Sequence, residues 1–446
     1  MIVGKSSALG QPSIVWETLL CCARLRMGTL CGAMVRRDTL RWIGLLAWLL
    51  PLLAGCGGGG RAKPNPPPSG RGALQWTVMV FMNAANDLDD FSELNINQME
   101  QIQTNPNVRV VVQWKRAARF APSGSWTGTR RYLIQYDTDA QRVNSRLLED
   151  LGQGVDMGSA DTLREFVRWA RINYPADRYA LVIWNHGSGW RSRAAFRGRA
   201  VSFDDELSTS IKIWELPTAI RPSSADPLID VLLFDASLMQ MLEVAYECRN
   251  IARYIVGSEE SPPGEGYPYH EILKPIVDNS DISPAQWVAA VPRIFVSWYN
   301  QNFPYYRNIT QSAVDAARLE SVADALDALA ESLLVKRTLY VNTLARARQD
   351  AQNYSTYPEY RDLWHAAELV KQYTADVELT QRVNALQAAM RQAVIANDRD
   401  TRTGSRVFHS YGLSVYYPDS GSYLGRYGNT ALARATRWDE WLQVAP

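Results

Sequence analysis

Cysteine is scarce in this sequence beyond its first 56 residues. Four of the five cysteines lie within that stretch, and the fifth is Cys248. A single cysteine cannot form a disulfide within its own chain, so a fold held by internal disulfides is excluded for residues 57–446. Cys248 shares one helical stripe with apolar side chains at positions 238, 241, 242 and 245. We therefore expect it to be a buried small hydrophobic residue and not a nucleophile.

Histidine is equally rare, and the chain has almost no net charge. The histidines number four, and none is spaced from another as metal ligands are: His186, His270, His365 and His409. We therefore predict no metal site and no cofactor. The formal net charge is +1, with basic residues scattered among acidic ones. A nucleic-acid partner has no electrostatic support in such a sequence.

The amino terminus has the pattern of a targeting signal. Arginines at 36, 37 and 41 precede the apolar run WIGLLAWLLPLLAG, which is short for a transmembrane span and ends at Cys56. Residues 53–56 read Leu-Ala-Gly-Cys and resemble a bacterial lipobox, in which the cysteine is lipidated and becomes the first mature residue. We predict a lipid anchor on Cys56 in the cell envelope. Gly57 is not the aspartate that holds many lipoproteins in the inner membrane, which favours the outer membrane.

The rest of the chain divides into a tether and a folded domain. Residues 1–55 are predicted to be leader and signal peptide, and the Gly- and Pro-rich residues 56–74 a flexible tether. From residue 75, apolar runs such as WTVMVFMNA and YALVIWNHG alternate with helical patterns. This alternation predicts an α/β fold with a mostly parallel central sheet covered by helices on both faces. We assign the core sheet to about 75–270 and a largely helical part to about 271–446, including single helices over 312–337 and 379–397.

Two polar side chains follow predicted strands. His186 ends the run YALVIWNH, and Ser237 ends DVLLFDAS. Adjacent parallel strands would place this base and this hydroxyl together at the carboxyl edge of the sheet, which is the minimum for nucleophilic catalysis. Two structural interpretations stay open: His186 can be a turn residue without chemistry, and Ser237 can be the N-cap of the helix that follows it.

The motifs WNHGSGW and FDASLMQMLEVAYE resemble those of the clostripain family of cysteine peptidases. VMVFMNAANDLD, GSEESPPGEGYPY, DLWHAAELV and GLSVYYP resemble further segments of that family in the same order, over about residues 76–418. The resemblance implies a caspase-like αβα sandwich. It also implies that His186 is the catalytic base and that position 237 is the nucleophile.

The resemblance fails at the nucleophile itself. The family has a cysteine where this chain has Ser237, and a glycine where it has Gln240. A thiolate forms readily beside an imidazole, whereas a serine hydroxyl needs a well-oriented base, and the sequence indicates no third residue to orient His186. We therefore predict a degenerate peptidase that binds basic peptides. The alternative is an active endopeptidase that cleaves after Arg or Lys with Ser237 and His186.

The resemblance also indicates which residues would bind substrate. Clostripain-like peptidases cleave after arginine or lysine through acidic side chains in the primary pocket, which match Asp235 and Glu265 here. Carboxylates pair well with a guanidinium in a partly desolvated pocket. The predicted partner is therefore a peptide or protein with basic residues. For Glu265, a solvated loop position is the other interpretation.

The loop after His186 carries four arginines in GSGWRSRAAFRGRAVSFDDE: Arg191, Arg193, Arg197 and Arg199. Its Gly, Ser and Arg content predicts an exposed, mobile loop that is accessible to proteolysis. In the clostripain family a segment between histidine and cysteine is cut after a basic residue during maturation. We predict that this chain does not process itself, because the sulfur nucleophile is absent. A solvated basic loop without such a role is the other interpretation.

Overall fold

The computed structural model describes residues 74–191, 201–354 and 356–446. These residues all fall within one compact unit, Pro66–Pro446. Its strands are β1 (Leu74–Ala84), β2 (Val108–Arg116), β3 (Gly128–Leu133), β4 (Arg146–Gly152), β5 (Ala176–Trp184), β6 (Val201–Asp204), β7 (Thr209–Ile211), β8 (Ile229–Asp235), β9 (Ala252–Gly257), β10 (Thr310–Asp315), β11 (Tyr360–Asp362), β12 (Val394–Arg399) and β13 (Ser414–Tyr416).

The helices are α1 (Asp89–Glu100), α2 (Ala160–Asn173), α3 (Leu216–Ile220), α4 (Leu242–Cys248), α5 (Tyr269–Ile272), α6 (Lys274–Asp278), α7 (Pro284–Asn302), α8 (Leu319–Lys336), α9 (Val341–Asp350), α10 (Leu363–Thr374), α11 (Val377–Ala393), α12 (Ala431–Ala435) and α13 (Trp438–Leu442).

Nine strands form the central sheet, in the order β12-β10-β9-β8-β5-β1-β2-β3-β4. The five strands from β9 to β2 are parallel to one another, and those at both edges are antiparallel to their neighbours. The predicted mostly parallel sheet is therefore confirmed.

Helices cover both faces of this sheet because the central strands are apolar on both sides. Along β1, Val78 and Val80 belong to one hydrophobic core, and Met79 and Phe81 belong to the other. Such alternation follows from the two-residue period of a strand. Side chains of α1, α5 and α7 complete the first core, and side chains of α2, α4, α8, α10 and α11 complete the second. The result is the predicted αβα sandwich.

The carboxy-terminal half is largely helical, as expected, but it also extends the sheet. The predicted helix over 312–337 begins with strand β10, and the one over 379–397 ends in strand β12. β10 is paired on both sides, with β9 and β12, and its Ala313 and Val314 are fully buried. Pairing and burial override the helical preference of this alanine-rich stretch. The boundary at residue 270 is therefore not a boundary of the sheet.

Cys248 is buried at the end of α4, as predicted. Burial raises the pKa of its thiol, which makes the reactive thiolate harder to form. Within the three described ranges, no helix combines the length and the apolar character that crossing a membrane requires.

Candidate active site

The carboxyl ends of β5 and β8 lie side by side, because these strands are parallel and hydrogen-bonded to each other. The last pair in their register is Trp184 with Asp235. His186 and Ser237 each follow the end of their strand by two residues. The strand order therefore places both at the sheet edge where α/β proteins bind ligands.

His186 and Ser237 line one cavity of about 190 Å³ at this edge. The cavity is bounded by the two strand ends, by the loop after β9 and by Leu88. Its other lining residues are Trp184, Asn185, Asp235, Ala236, Pro262, Pro263, Gly264 and Gly266. The structure thus brings together the histidine, the serine and one of the two predicted pocket acids.

Asn185 fixes the backbone on which His186 stands. Its amide donates to the carbonyls of Asn83 and Phe203, and its side-chain oxygen accepts from the Phe203 N–H at 2.8 Å. The Phe203 ring lies against the imidazole, with 6.1 Å between ring centroids and 26° between the planes. The histidine ring is therefore held on one side by a stacked aromatic ring.

Ser237 lies in a tight turn between β8 and α4. Helix α4 begins at Leu242 with Met241 as the residue before it. Ser237 is therefore not the cap of this helix, which rules out that interpretation. The next residue, Leu238, has a φ of 64°, a left-handed conformation that costs free energy for a side chain of this size. The turn is held by backbone hydrogen bonds from Leu238 to Glu260 and from Gln240 to Ser258.

The turn after His186 presses directly against the turn at Ser237. A Cβ atom at Gly187 would lie 2.3 Å from the carbonyl oxygen of Ser237 and 3.0 Å from its nitrogen. Only glycine permits this approach without displacing one of the two backbones. The glycine of the Asn-His-Gly sequence therefore allows the two turns to come into contact.

Asp235 is buried, although it lines the same cavity. The Tyr267 N–H donates to both carboxyl oxygens at 3.1 Å, and the Tyr269 hydroxyl donates at 2.9 Å. Burial raises the pKa of Asp235 to about 7, and these hydrogen bonds oppose that rise without cancelling it. Gly266, at a φ of 64°, lets the loop come this close, since a Cβ there would lie 2.9 Å from the carboxyl oxygens.

Glu265, the second predicted pocket acid, is not among the residues that line this cavity. Its carboxylate accepts a hydrogen bond from the Tyr306 hydroxyl at 3.0 Å. The neighbouring glycines at 264 and 266 face the cavity instead. The loop thus directs the Glu265 carboxylate toward Tyr306, after α7, and Glu265 is not part of the lining that Asp235 shares with Ser237.

A carboxylate that sequence analysis missed lies beside the histidine. Asp87 Oδ1 is 2.6 Å from His186 Nε2. Asp87 follows β1, the other neighbour of β5 in the sheet, so it comes from the same carboxyl edge. The sequence could have indicated this contact, because an acid three residues beyond a central strand can reach a group at the end of the neighbouring strand.

The loop after His186 is described only as far as Arg191, and Arg193, Arg197 and Arg199 lie outside the described residues. Arg191 is held in place. Its guanidinium is 3.0 Å from a Glu359 carboxylate oxygen and lies 5.0 Å from the Tyr357 ring centroid. The backbone N–H of Arg191 donates to the Tyr360 hydroxyl. Arg191 is therefore not the exposed position that we expected, because its side chain packs in an ion pair and against an aromatic ring.

The predicted lipid-bearing Cys56 also lies outside the described residues. Among those that are described, no group of three or more His, Cys, Asp or Glu side chains is placed to hold a metal ion.

Comparison with known proteins gives the family. The model of the clostripain family (Peptidase_C11) matches residues 80–444. Clostripain from Hathewaya histolytica is 28% identical over 221 residues, which is 44% of this chain and 41% of that protein. The chain thus aligns with well under half of this curated relative. The match of the family model covers most of the chain, and the chain belongs to the clostripain family.

Solved structures show the same fold. An inactive zymogen of a C11 protease from Parabacteroides distasonis aligns with a TM-score of 0.61 and 21% identity, over 82% of this chain and 99% of that one. A secreted C11 cysteine protease from Bacteroides thetaiotaomicron aligns with a TM-score of 0.61 and 18% identity, over 82% of this chain and all of that one. At these identities the likeness concerns the fold.

Proposed function

We propose that this protein is a lipid-anchored peptidase homologue that takes an arginine or lysine side chain into the cavity over Asp235 and cleaves the peptide slowly through Ser237. One observation carries the proposal: Asp235 lines the same cavity as Ser237 and His186. A peptide seated there would have its basic side chain beside a carboxylate and its backbone beside the hydroxyl.

The environment of Asp235 favours a cationic partner. Its carboxyl group is buried, and its hydrogen bonds come from neutral donors on Tyr267 and Tyr269. A guanidinium or ammonium group that enters the cavity supplies the missing positive charge, and pairing of this kind is strong where water is excluded. Arginine also matches a carboxylate with two parallel hydrogen bonds, which lysine cannot do.

Slow chemistry follows from the oxygen nucleophile. A thiol can ionise beside an imidazole before substrate arrives, whereas a hydroxyl gives up its proton only during attack. His186 lines the cavity with Ser237 and is the base available for that proton. The relatives are named as clostripain, a C11 protease and a cysteine protease. We extend hydrolysis from these named proteases to this chain, which has serine at the position of the nucleophile.

A second candidate is a binding protein without hydrolysis. Position 240 favours it. Gln240 is fully buried, and both of its side-chain amide atoms lack a hydrogen-bond partner among the described residues. Its side-chain oxygen lies 2.8 Å from where a Cβ at Gly257 would stand. Gln240 stands three residues after Ser237, where the resemblance to the clostripain family expects a glycine, so the turn that carries the hydroxyl differs from the family pattern at two positions.

Two measurements separate these candidates. Binding of a fluorescent peptide ending in arginine is measured for wild type and Asp235→Asn, with a citrulline peptide as the neutral control. Both candidates require arginine to bind more tightly than citrulline, and Asp235→Asn to remove most of that difference. Equal binding of the two peptides by wild type would refute basic-side-chain recognition.

Hydrolysis is then measured on an arginyl aminomethylcoumarin peptide with wild type, Ser237→Ala and Ser237→Cys. We expect slow turnover by wild type, none by Ser237→Ala and faster turnover by Ser237→Cys. Arginine-selective binding combined with wild-type turnover no higher than that of Ser237→Ala would establish the binding protein instead.

A further inference from the structure

The loop between β1 and α1 holds an acidic side chain against the histidine of the cavity. Asp87 Oδ1 lies 2.6 Å from His186 Nε2, which is the distance of a strong charge-assisted hydrogen bond. The preceding residue, Asn86, anchors the loop, because its amide donates to the Phe203 carbonyl at 2.8 Å and its side-chain oxygen accepts from the Leu88 N–H at 3.0 Å. Leu88 in turn lines the cavity.

The imidazole is therefore constrained from two directions. Asp87 holds one ring nitrogen, and Phe203 stacks on the ring face. The same carbonyl of Phe203 accepts from both Asn86 and Asn185, which ties the β1 loop and the β5 loop to one point. Such bracing fixes the orientation of the ring and not only its position.

We propose that Asp87 is the positioning residue that completes a serine–histidine–aspartate arrangement with Ser237 and His186. The inference rests on the proposed hydrolysis and adds the group that makes an oxygen nucleophile workable. With Nε2–H donated to Asp87, the other ring nitrogen, Nδ1, is left without a proton and becomes the base.

The proposed reaction has an acylation half and a hydrolysis half. The Ser237 oxygen bonds to the peptide carbonyl carbon, its proton moves to His186 Nδ1, and the carbonyl electron pair moves onto oxygen. When that pair returns, the C–N bond breaks and the Nδ1 proton passes to the leaving amine. Water repeats the sequence on the resulting ester and releases Ser237. Asp87 keeps its negative charge throughout and stabilises the imidazolium formed in each half.

The exposure of Asp87 sets the size of the effect. Its side chain is 74% exposed, whereas that of His186 is 25% exposed. Water and salt weaken the contribution of an exposed carboxylate. We therefore expect loss of Asp87 to reduce kcat by about 10- to 100-fold, less than the ~10⁴-fold typical of a fully buried triad acid.

The nucleophile itself provides the test. A thiolate beside an imidazolium needs less help from a third group than a hydroxyl does, so the effect of Asp87 should depend on the atom at position 237. Asp87→Asn is made in wild type and in Ser237→Cys, and kcat and KM are measured separately on an arginyl aminomethylcoumarin peptide. Asp87→Glu tests recovery, and Asp90→Asn, which changes an exposed acid on the same segment, is the matched control.

We expect Asp87→Asn to lower kcat at least tenfold in wild type and less than threefold in Ser237→Cys, with KM within twofold in both. Asp87→Glu should recover part of the loss, and Asp90→Asn should have no effect. Equal losses in the two backgrounds, or a change confined to KM, would overturn the proposal. So would a wild type that neither turns over the substrate nor is labelled at Ser237 by a fluorophosphonate. Arginine-selective binding is scored separately, so that failure of the triad is distinguishable from failure of peptide recognition.

Discussion

Asp235 is buried and also lines the cavity that holds Ser237. Because burial raises the pKa of this carboxyl to about 7, a large share of the group is protonated and neutral at neutral pH. A cation binds the ionised form, so binding of a basic side chain must displace the proton. The proposed recognition of arginine at this site is therefore coupled to pH.

The direction of that coupling can be predicted. Affinity for a peptide ending in arginine should rise with pH up to about 7, by at most about tenfold per pH unit because one proton is released, and then level off. Fluorescence anisotropy between pH 5 and 9 measures it. The citrulline peptide, and the arginine peptide with Asp235→Asn, should show no such rise. Arginine binding that is flat or falls over this range would show that Asp235 is not the partner of the cation.

Glu243, on α4, is a second buried acid near the Ser237 turn. It accepts hydrogen bonds from the Tyr416 N–H and the Tyr427 hydroxyl, each at 2.9 Å. Burial raises its pKa from 4.5 to about 7. Between pH 4.5 and about 7, the folded state keeps a proton on Glu243 that the unfolded state has released. The contribution of this protonated side chain to the free energy of unfolding is therefore full below pH 4.5 and is lost as pH rises through about 7.

Glu243→Gln should remove this contribution, because glutamine resembles the protonated acid in shape and charge. Denaturant unfolding should show the variant gaining stability relative to wild type as pH rises from 4.5 to 7, by a total on the order of 3 kcal/mol. The exposed change Glu440→Gln is the control and should follow wild type. Parallel curves for Glu243→Gln and wild type would mean that Glu243 is ionised in the folded protein.

At the scale of elements, the two turns that form the site depend on one close contact. A methyl group at Gly187 would overlap the backbone of Ser237. We expect Gly187→Ala to cost about 1–3 kcal/mol and to displace the serine. Denaturant unfolding measures the first effect, and the rate of fluorophosphonate labelling at Ser237 measures the second, with an expected fall of at least tenfold. Gly425→Ala, where nothing lies within 4 Å of the new Cβ, is the matched control. Wild-type stability and labelling in Gly187→Ala would contradict the contact.

Many strands of the central sheet could be predicted from local sequence patterns. β1, β5 and β8 are continuous apolar runs because both of their faces are buried, and their polar ends fall at one edge of the sheet. β10 could not be predicted, since its short alanine-containing run precedes a helix and becomes a strand only by pairing with β9 and β12. Whether this run forms a strand is decided by its pairing with the neighbouring strands and not by its own sequence.

The same limit explains the outcomes at the site. His186 and Ser237 could be paired because strand order alone brings them together. Asp87 lies far from both in sequence, and its contact with His186 depends on how the β1 loop folds back. The side chain of Glu265 could not be placed from sequence either, because it lies between two glycines that line the cavity while its own carboxylate accepts a hydrogen bond from Tyr306. Sequence patterns specify which strand ends meet, whereas loop conformation decides which side chains touch.

At the scale of the whole molecule, the predicted anchor would hold this cavity at a membrane surface. Labelling with an alkyne fatty acid should mark the wild-type protein, and Cys56→Ala should remove the label and release the protein from the membrane fraction. Label on Cys56→Ala, or none on wild type, would contradict the lipid anchor.

Density fractionation should place wild type in the outer membrane, and Gly57→Asp should shift it to the inner membrane, because an aspartate after the lipidated cysteine is the retention signal that this chain lacks. Wild type found in the inner membrane would leave the anchor intact and refute the placement. The tether would then hold the cavity at the periplasmic face of the inner membrane, and the peptides to test as substrates would be those found at that membrane.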